Sequence, residues 1–147
     1  MASKAKKAVT ATIKLVINAG QAKPAPPVGP ALGQAGLNIM SFCKDFNAKT
    51  ADKKPDIPVP VVITAYSDKT FTYVMKTPPV TYFIKQAANI KSGSQRPGHA
   101  VAAEISVRNI YDIAQHKQQD APDMSLESIC RSVAGTCKSM GVRVVSQ

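Results

Sequence analysis

FTYVMKTPPVTYFIKQAA, residues 71–88, changes its period in the middle. Before the prolines, Phe71, Tyr73 and Met75 alternate with Thr72 and Val74, the period of two that marks a half-buried strand. After them, Val80, Phe83, Ile84 and Ala87 recur at i, i+3, i+4 and i+7, the spacing of one helix face. Between lies Thr77-Pro78-Pro79. Proline has no amide hydrogen and a fixed φ, so neither a ladder nor a helix continues through an adjacent pair. These 18 residues predict an α+β chain in two parts, a sheet-bearing unit before the prolines and a helical one after them.

Upstream, Val9, Ala11, Ile13, Leu15 and Ile17 alternate with Thr10, Thr12 and Lys14, which predicts another strand. KPAPPVGPALGQAGLN, residues 23–38, has four prolines and three glycines and is expected to form neither a regular strand nor a long helix. Asn38 then offers an N-cap, with Ile39, Phe42, Cys43 and Phe46 at helical spacing behind it. A loop with Pro55, Pro58 and Pro60 leads to a strand around Val61–Tyr66, joined to the strand at Phe71 by the turn Ser67-Asp68-Lys69. The expected first half is a three-stranded sheet with a helix packed on it.

Downstream, Val107, Ile110, Tyr111 and Ala114 mark a second helix of the later unit, with Ser106 as its cap. Leu126, Ile129, Cys130, Val133, Ala134 and Cys137 mark a third, with Gly141 as its C-cap and a short strand at Val142–Val145. The domain reading is a flexible basic tail over 1–7, an N-terminal α+β domain over 8–76, a linker over 77–79 and a C-terminal three-helix domain over 80–147.

Charge narrows the function. The chain has 19 Lys+Arg against 9 Asp+Glu, a net +10, which calls for a polyanionic partner. No acid precedes Asp45, and none lies between Asp68 and Glu104, a gap that holds Lys69, Lys76, Lys85, Lys91 and Arg96. No apolar run reaches the length of a membrane span. Cys43, Cys130 and Cys137 lack metal-ligand spacing and read as small buried hydrophobes. His99 and His116 have no Ser, Cys or carboxylate spaced to orient them, and no phosphate-loop or dinucleotide motif is present. Neither catalysis, a metal nor a cofactor is expected.

Three segments are candidates for binding. On the third helix, Ser128, Ser132, Gly135, Thr136 and Ser139 form a second, almost smooth face flanked by Arg131 and Lys138. A-form RNA presents a wide, shallow minor groove lined with 2′-hydroxyls, which such a face suits; a helix-packing seam would use the same small residues. KSGSQRPGH, residues 91–99, has backbone freedom and two cations to wrap phosphate, and without apolar anchors it is expected to order only on RNA. PAPPVGPALG, residues 24–33, contains two PxxP spacings, yet lies between a strand and a helix of one small domain, so an exposed rigid element is favoured over an SH3-type ligand. A DNA-binding regulator is the other reading of a basic three-helix unit, although a major-groove helix needs Arg, Asn or Gln where this one offers Ser, Gly and Thr.

KPAPPVGPALGQAGLNIMSFCKDFNAKT, TPPVTYFIKQAA and SICRSVAGTCKSMGVRV together resemble the L-eleven family of large-subunit ribosomal proteins, over nearly the whole chain and in the family's order. The resemblance implies a protein of the stalk base and GTPase-associated centre, with large-subunit rRNA, neighbouring stalk proteins and translation GTPase factors as partners. It implies rRNA contacts at Thr77, Pro78, Lys85, Lys91, Ser92, Gly93, Ser94, Gly135, Thr136, Ser139, Met140 and Gly141, to which the reading of the helix adds Arg131 and Lys138. It also implies a surface toward factors and thiazole peptide antibiotics at Pro26, Pro27, Gly29 and Pro30. The 91–99 loop is shorter and less Lys-rich than in many bacterial members, which leaves its contacts the least fixed. SVRNIYDIAQHKQQD and MSLESICRS look closer to the mitochondrial branch, so a mitochondrial ribosome is expected, with a bacterial one as the alternative.

Overall fold

The computed structural model describes residues 7–26 and 28–146. Residues 1–6 of the expected tail, and Pro27, lie outside the described residues; Lys7 is ion-paired with Asp68. The chain divides into two compact units, Met1–Lys76 and Thr77–Gln147.

Unit 1 runs β1 (Val9–Asn18), α1 (Val28–Gln34), α2 (Ile39–Lys49), β2 (Pro58–Tyr66) and β3 (Phe71–Met75), with an antiparallel sheet in the order β1-β2-β3. The alternation turns Ile13, Leu15 and Ile17 of β1 and Val59, Val61, Ile63 and Ala65 of β2 toward the helices. Phe42 and Phe46 of α2 and Leu32 of α1 fill the layer between, each fully buried. Val9 departs from the expected strand face: it is exposed, because the register with β2 shifts between Val9 and Ala11.

Two features of unit 1 differ from expectation. The proline-rich segment contains a second helix, α1, whose Val28 and Leu32 enter the core. Proline is tolerated in a helix's first turn, where its missing N–H has no partner to lose, so Pro30 does not prevent a helix of 7 residues. The middle strand also begins at Pro58 rather than near Val61. Pro58 and Pro60 pair with Asn18 and Val16 of β1, while the ladder to β3 starts only at Val61, so the prolines sit at the end of the strand, where among the described residues only the Pro60 carbonyl is bonded on the β3 side, accepting from Lys76 N.

Unit 2 runs α3 (Val80–Ala88), β4 (Ala103–Ser106), α4 (Val107–Gln118), α5 (Leu126–Met140) and β5 (Val142–Val145). Ser106 and Ser125 cap α4 and α5 by accepting from the Asn109 and Ser128 amides, and Gly141 closes α5 at φ 72°. The three helices are joined by a small parallel sheet: β5 pairs with β4, a strand that the periodicity did not announce. The core is Ile84, Ile105, Ile110, Ile113, Ala114, Ile129, Val133, Cys137 and Val142. The buried face of α4 is Ile110, Ile113 and Ala114; Val107 and Tyr111, expected on it, are exposed. On α3, Ala87 is likewise exposed and Ile84 carries the burial. Burial pushes the Cys43 and Cys137 thiols up, which keeps them protonated, while Cys130 is only half-buried. Among the described residues no helix is long and apolar enough to cross a membrane, and no group of three or more His, Cys, Asp or Glu could hold a metal ion.

Candidate nucleic-acid interface

The small-residue face of α5 is uncovered within unit 2. Ile129, Val133 and Cys137 point into the core, whereas Ser128, Ser132, Gly135 and Ser139 are exposed. A Cβ built on Gly135 would meet no atom within 4 Å, so no internal contact requires glycine there. The hydroxyls are oriented by their own helix. Thr136 Oγ1 donates to Ser132 O at 3.1 Å and Ser139 Oγ donates to Thr136 O at 2.7 Å. Their hydrogens point inward, so outward these oxygens act as acceptors, which match donors such as a ribose 2′-OH.

The fold brings the 91–99 loop to the C-terminal end of this helix. Ser94 N donates to Met140 O at 2.8 Å, and Ala102 N donates to Gly141 O at 2.8 Å. The approach is close enough to require glycine on both sides. A Cβ on Gly93 would lie 2.8 Å from Met140 O, and one on Gly141 would lie 2.4 Å from Ser94 Cβ. Gly93, Ser94, Met140 and Gly141 are thus one packed junction, with Lys91 and Ser92 exposed beside it. The loop, expected to lack apolar anchors, is tied to the α5 end by a backbone hydrogen bond at Ser94, which composition does not reveal.

The remaining cations differ in their availability. Lys138 is exposed and lines a cleft of about 310 Å³ with His99 and Arg143. Arg143, which is not among the sequence candidates, reaches Glu104 at 3.6 Å across the β4–β5 pair. Arg131 is exposed and ion-paired with Glu127 one turn earlier, so its charge is partly compensated. Lys85 is half-buried in the last turn of α3, and among the described residues no hydrogen bond or ion pair joins it to α5.

Thr77 and Pro78 are held by the end of α4 rather than left free. Thr77 N lies 3.2 and 3.1 Å from the two Asp120 carboxylate oxygens, and Thr77 Oγ1 donates to Asp120 Oδ2 at 2.6 Å. Lys117 Nζ donates to Thr77 Oγ1 at 3.0 Å, to Pro78 O at 3.4 Å and to Asp120 Oδ2 at 3.2 Å. Burial pushes the Asp120 carboxyl up, but the bonds from Thr77 and Lys117 outweigh it and leave the group below the usual aspartate range. Asp120 and Lys117 also line a cleft that reaches Ser132 on α5.

In unit 1, Pro26 and Pro30 are exposed and Gly29 is partly so. Pro26 lines a cleft of about 230 Å³ with Val16, Asn18, Gln21 and Lys23. Gly29 has an internal cause, since a Cβ there would lie 2.8 Å from Pro24 O. The segment is therefore built into its domain and is not a free PxxP peptide.

Two family descriptions match the chain in succession. Residues 13–71 match "Ribosomal protein L11, N-terminal domain" and residues 76–144 match "Ribosomal protein L11, RNA binding domain". Similar proteins include "Large ribosomal subunit protein uL11" of Rhodopseudomonas palustris (strain BisB18), 51% identical over 138 residues, or 94% of this chain and 97% of that one. The protein of the same name from Brucella anthropi is 52% identical over 139 residues, or 95% and 98% of the two chains. That of Bradyrhizobium sp. (strain BTAi1) is 51% identical over 138 residues, or 94% and 97%. With both domains matched in order, and half of its residues shared with such relatives along almost its full length, the chain belongs to the ribosomal protein L11 family.

Proposed function

We propose that the chain is a structural, non-catalytic constituent of the large ribosomal subunit that binds rRNA of the GTPase-associated centre through unit 2. The observation that carries this reading is Gly135, a mid-helix glycine with no internal use, flanked by hydroxyls that turn acceptors outward. The binding surface comprises Gly135, Thr136, Lys138, Ser139, Met140 and Gly141 of the α5 end, Lys91, Ser92, Gly93 and Ser94 of the loop, and Thr77 and Pro78, with Arg131 and Lys85 at its margin. His99 and Arg143, in the cleft shared with Lys138, extend it. Unit 1 faces translation GTPase factors and neighbouring stalk proteins through the segment around Pro26 and Pro30. Family membership displaces the DNA-binding reading, and the small-residue face of α5 agrees, since between Arg131 and Lys138 it offers acceptors rather than the long donors that read base edges.

The ribosome in question is of bacterial type. The relatives named above are bacterial and lend no support to a mitochondrial assignment, which rests on residues 106–120 and 124–132 and on the acid-free start of the sequence. Co-sedimentation of the wild-type chain and Lys138→Gln with large subunits across a salt gradient tests the function. Wild type should travel with the subunit, and the variant should bind more weakly, with a salt slope lower by about one. Equal slopes would remove Lys138 from the phosphate contacts.

A further inference from the structure

Lys117 directs all three of its donors to one place, the junction of Thr77, Pro78 and Asp120. Asp120 takes both donors of Thr77, its amide and its hydroxyl. The two side chains are only 21% and 19% exposed, so this is a partly desolvated, charge-assisted network rather than a solvated surface pair. Continuing along the chain, Pro78 and Pro79 have φ fixed by their rings, and Pro79 O accepts from Tyr82 N at the start of α3. From the Thr77 amide onward the backbone is therefore held by unit 2. On the other side, Lys76 N donates to Pro60 O at 2.9 Å and so belongs to the sheet of unit 1. Between these two anchored nitrogens the peptide is planar, and the rotatable bonds are the φ and ψ of Lys76 alone.

We propose that Asp120 and Lys117 are positioning residues that hold Thr77 and Pro78 for rRNA, and that they thereby confine the articulation between the units to Lys76. This rests on the assignment of Thr77 and Pro78 to the rRNA surface. The sequence masks the role, because Lys117 and Asp120 fall in a polar stretch, HKQQD, that reads as a solvated helix end. The partners lie 40 and 43 residues upstream.

The test uses the full chain and a large-subunit rRNA fragment retained by the wild type. Thr77→Val and Asp120→Asn should each weaken binding roughly three- to tenfold, as expected for one charge-assisted hydrogen bond. With Asp120 acting through Thr77, the double variant should lose no more than either single one, and Thr77→Ser, which keeps the hydroxyl, should recover most of the affinity lost in Thr77→Val. Backbone relaxation should show the Thr77 amide tumbling with unit 2 in the wild type and released from it in Asp120→Asn. Amide exchange of Ile129 and Val133 reports whether Asp120→Asn keeps its core; if it does not, Thr77→Val and Thr77→Ser carry the comparison. Unchanged affinity in Thr77→Val alongside a weakened Lys138→Gln would overturn the positioning role and leave the rRNA surface standing. If Lys138→Gln also bound like wild type, the surface assignment would fail and the positioning role with it. A Thr77 amide that moves independently of unit 2 in the wild type would overturn the single-residue articulation.

Discussion

Gly135 weakens its own helix and relieves no internal clash, so no contact within unit 2 accounts for it. Gly135→Ala should raise the stability of unit 2 by up to about 1 kcal/mol, the helix-propensity difference, and weaken rRNA binding because the added methyl stands on the docking face. Thermal melts and a binding titration check both halves. A variant that melts lower yet binds normally would mark the face as a packing seam. Asp120 gives a prediction of a different kind. Its carboxyl lies below the usual aspartate range in the folded chain, so the clamp contributes stability above the unfolded value of 3.8 and loses it as pH falls through the lowered folded one. Melting of the wild type should therefore decline more steeply below about pH 4 than that of Asp120→Asn, whose amide cannot titrate. Superimposable profiles would show that the carboxylate gains nothing from Thr77 and Lys117. Neither role was legible in sequence to the same degree. Gly135 stood out by its place on a helical wheel, whereas the importance of Asp120 comes from a partner that only the fold brings near.

Elements with a full amphipathic period could be read directly. β1, β3, α2 and α5 have long enough patterns to show which face is buried, and Asn38, Ser106 and Gly141 cap where their chemistry predicts. Short elements could not. α1 has two buried residues, and β4 has four positions leading straight into a helix, too few for a period to emerge. The face of α4 was misplaced for a related reason: Val107 and Tyr111 are apolar enough to extend the pattern, but Ile113 packs inward instead. The 91–99 loop shows the same limit for backbone bonds, which leave no trace in composition. Ser94 and Ala102, bonded to Met140 and Gly141, should exchange their amide hydrogens slowly even without RNA. Lys91, Ser92 and Gln95, whose amides have no backbone partner among the described residues, should slow only when RNA binds. Rapid exchange at Ser94 in the free protein would instead support a loop that orders as a whole on RNA.

At the level of the whole chain, each unit has a closed core of its own, one built on Phe42, Phe46 and Leu32, the other on Ile84, Val133 and Cys137. The change of period at Pro78-Pro79 made two units legible; the Pro78 carbonyl accepts from Lys117, and on the proposal above the articulation falls at Lys76, before the prolines. This bears on where a fragment should be cut. A fragment of residues 76–147 retains the three helices, the β4–β5 pair and the whole Thr77–Lys117–Asp120 network, and we expect it to fold cooperatively and bind large-subunit rRNA nearly as well as the full chain. A fragment of residues 80–147 keeps the same core but strands Asp120 and Lys117 without Thr77 or the Pro78 carbonyl. It should still fold, since no member of the hydrophobic core precedes Val80, yet bind more weakly by roughly the factor lost in Thr77→Val. Circular dichroism melts establish folding, and titration with the same rRNA fragment compares the two. Equal affinity of both fragments would separate the clamp from recognition, and a folded 76–147 fragment without specific binding would move the rRNA surface out of unit 2.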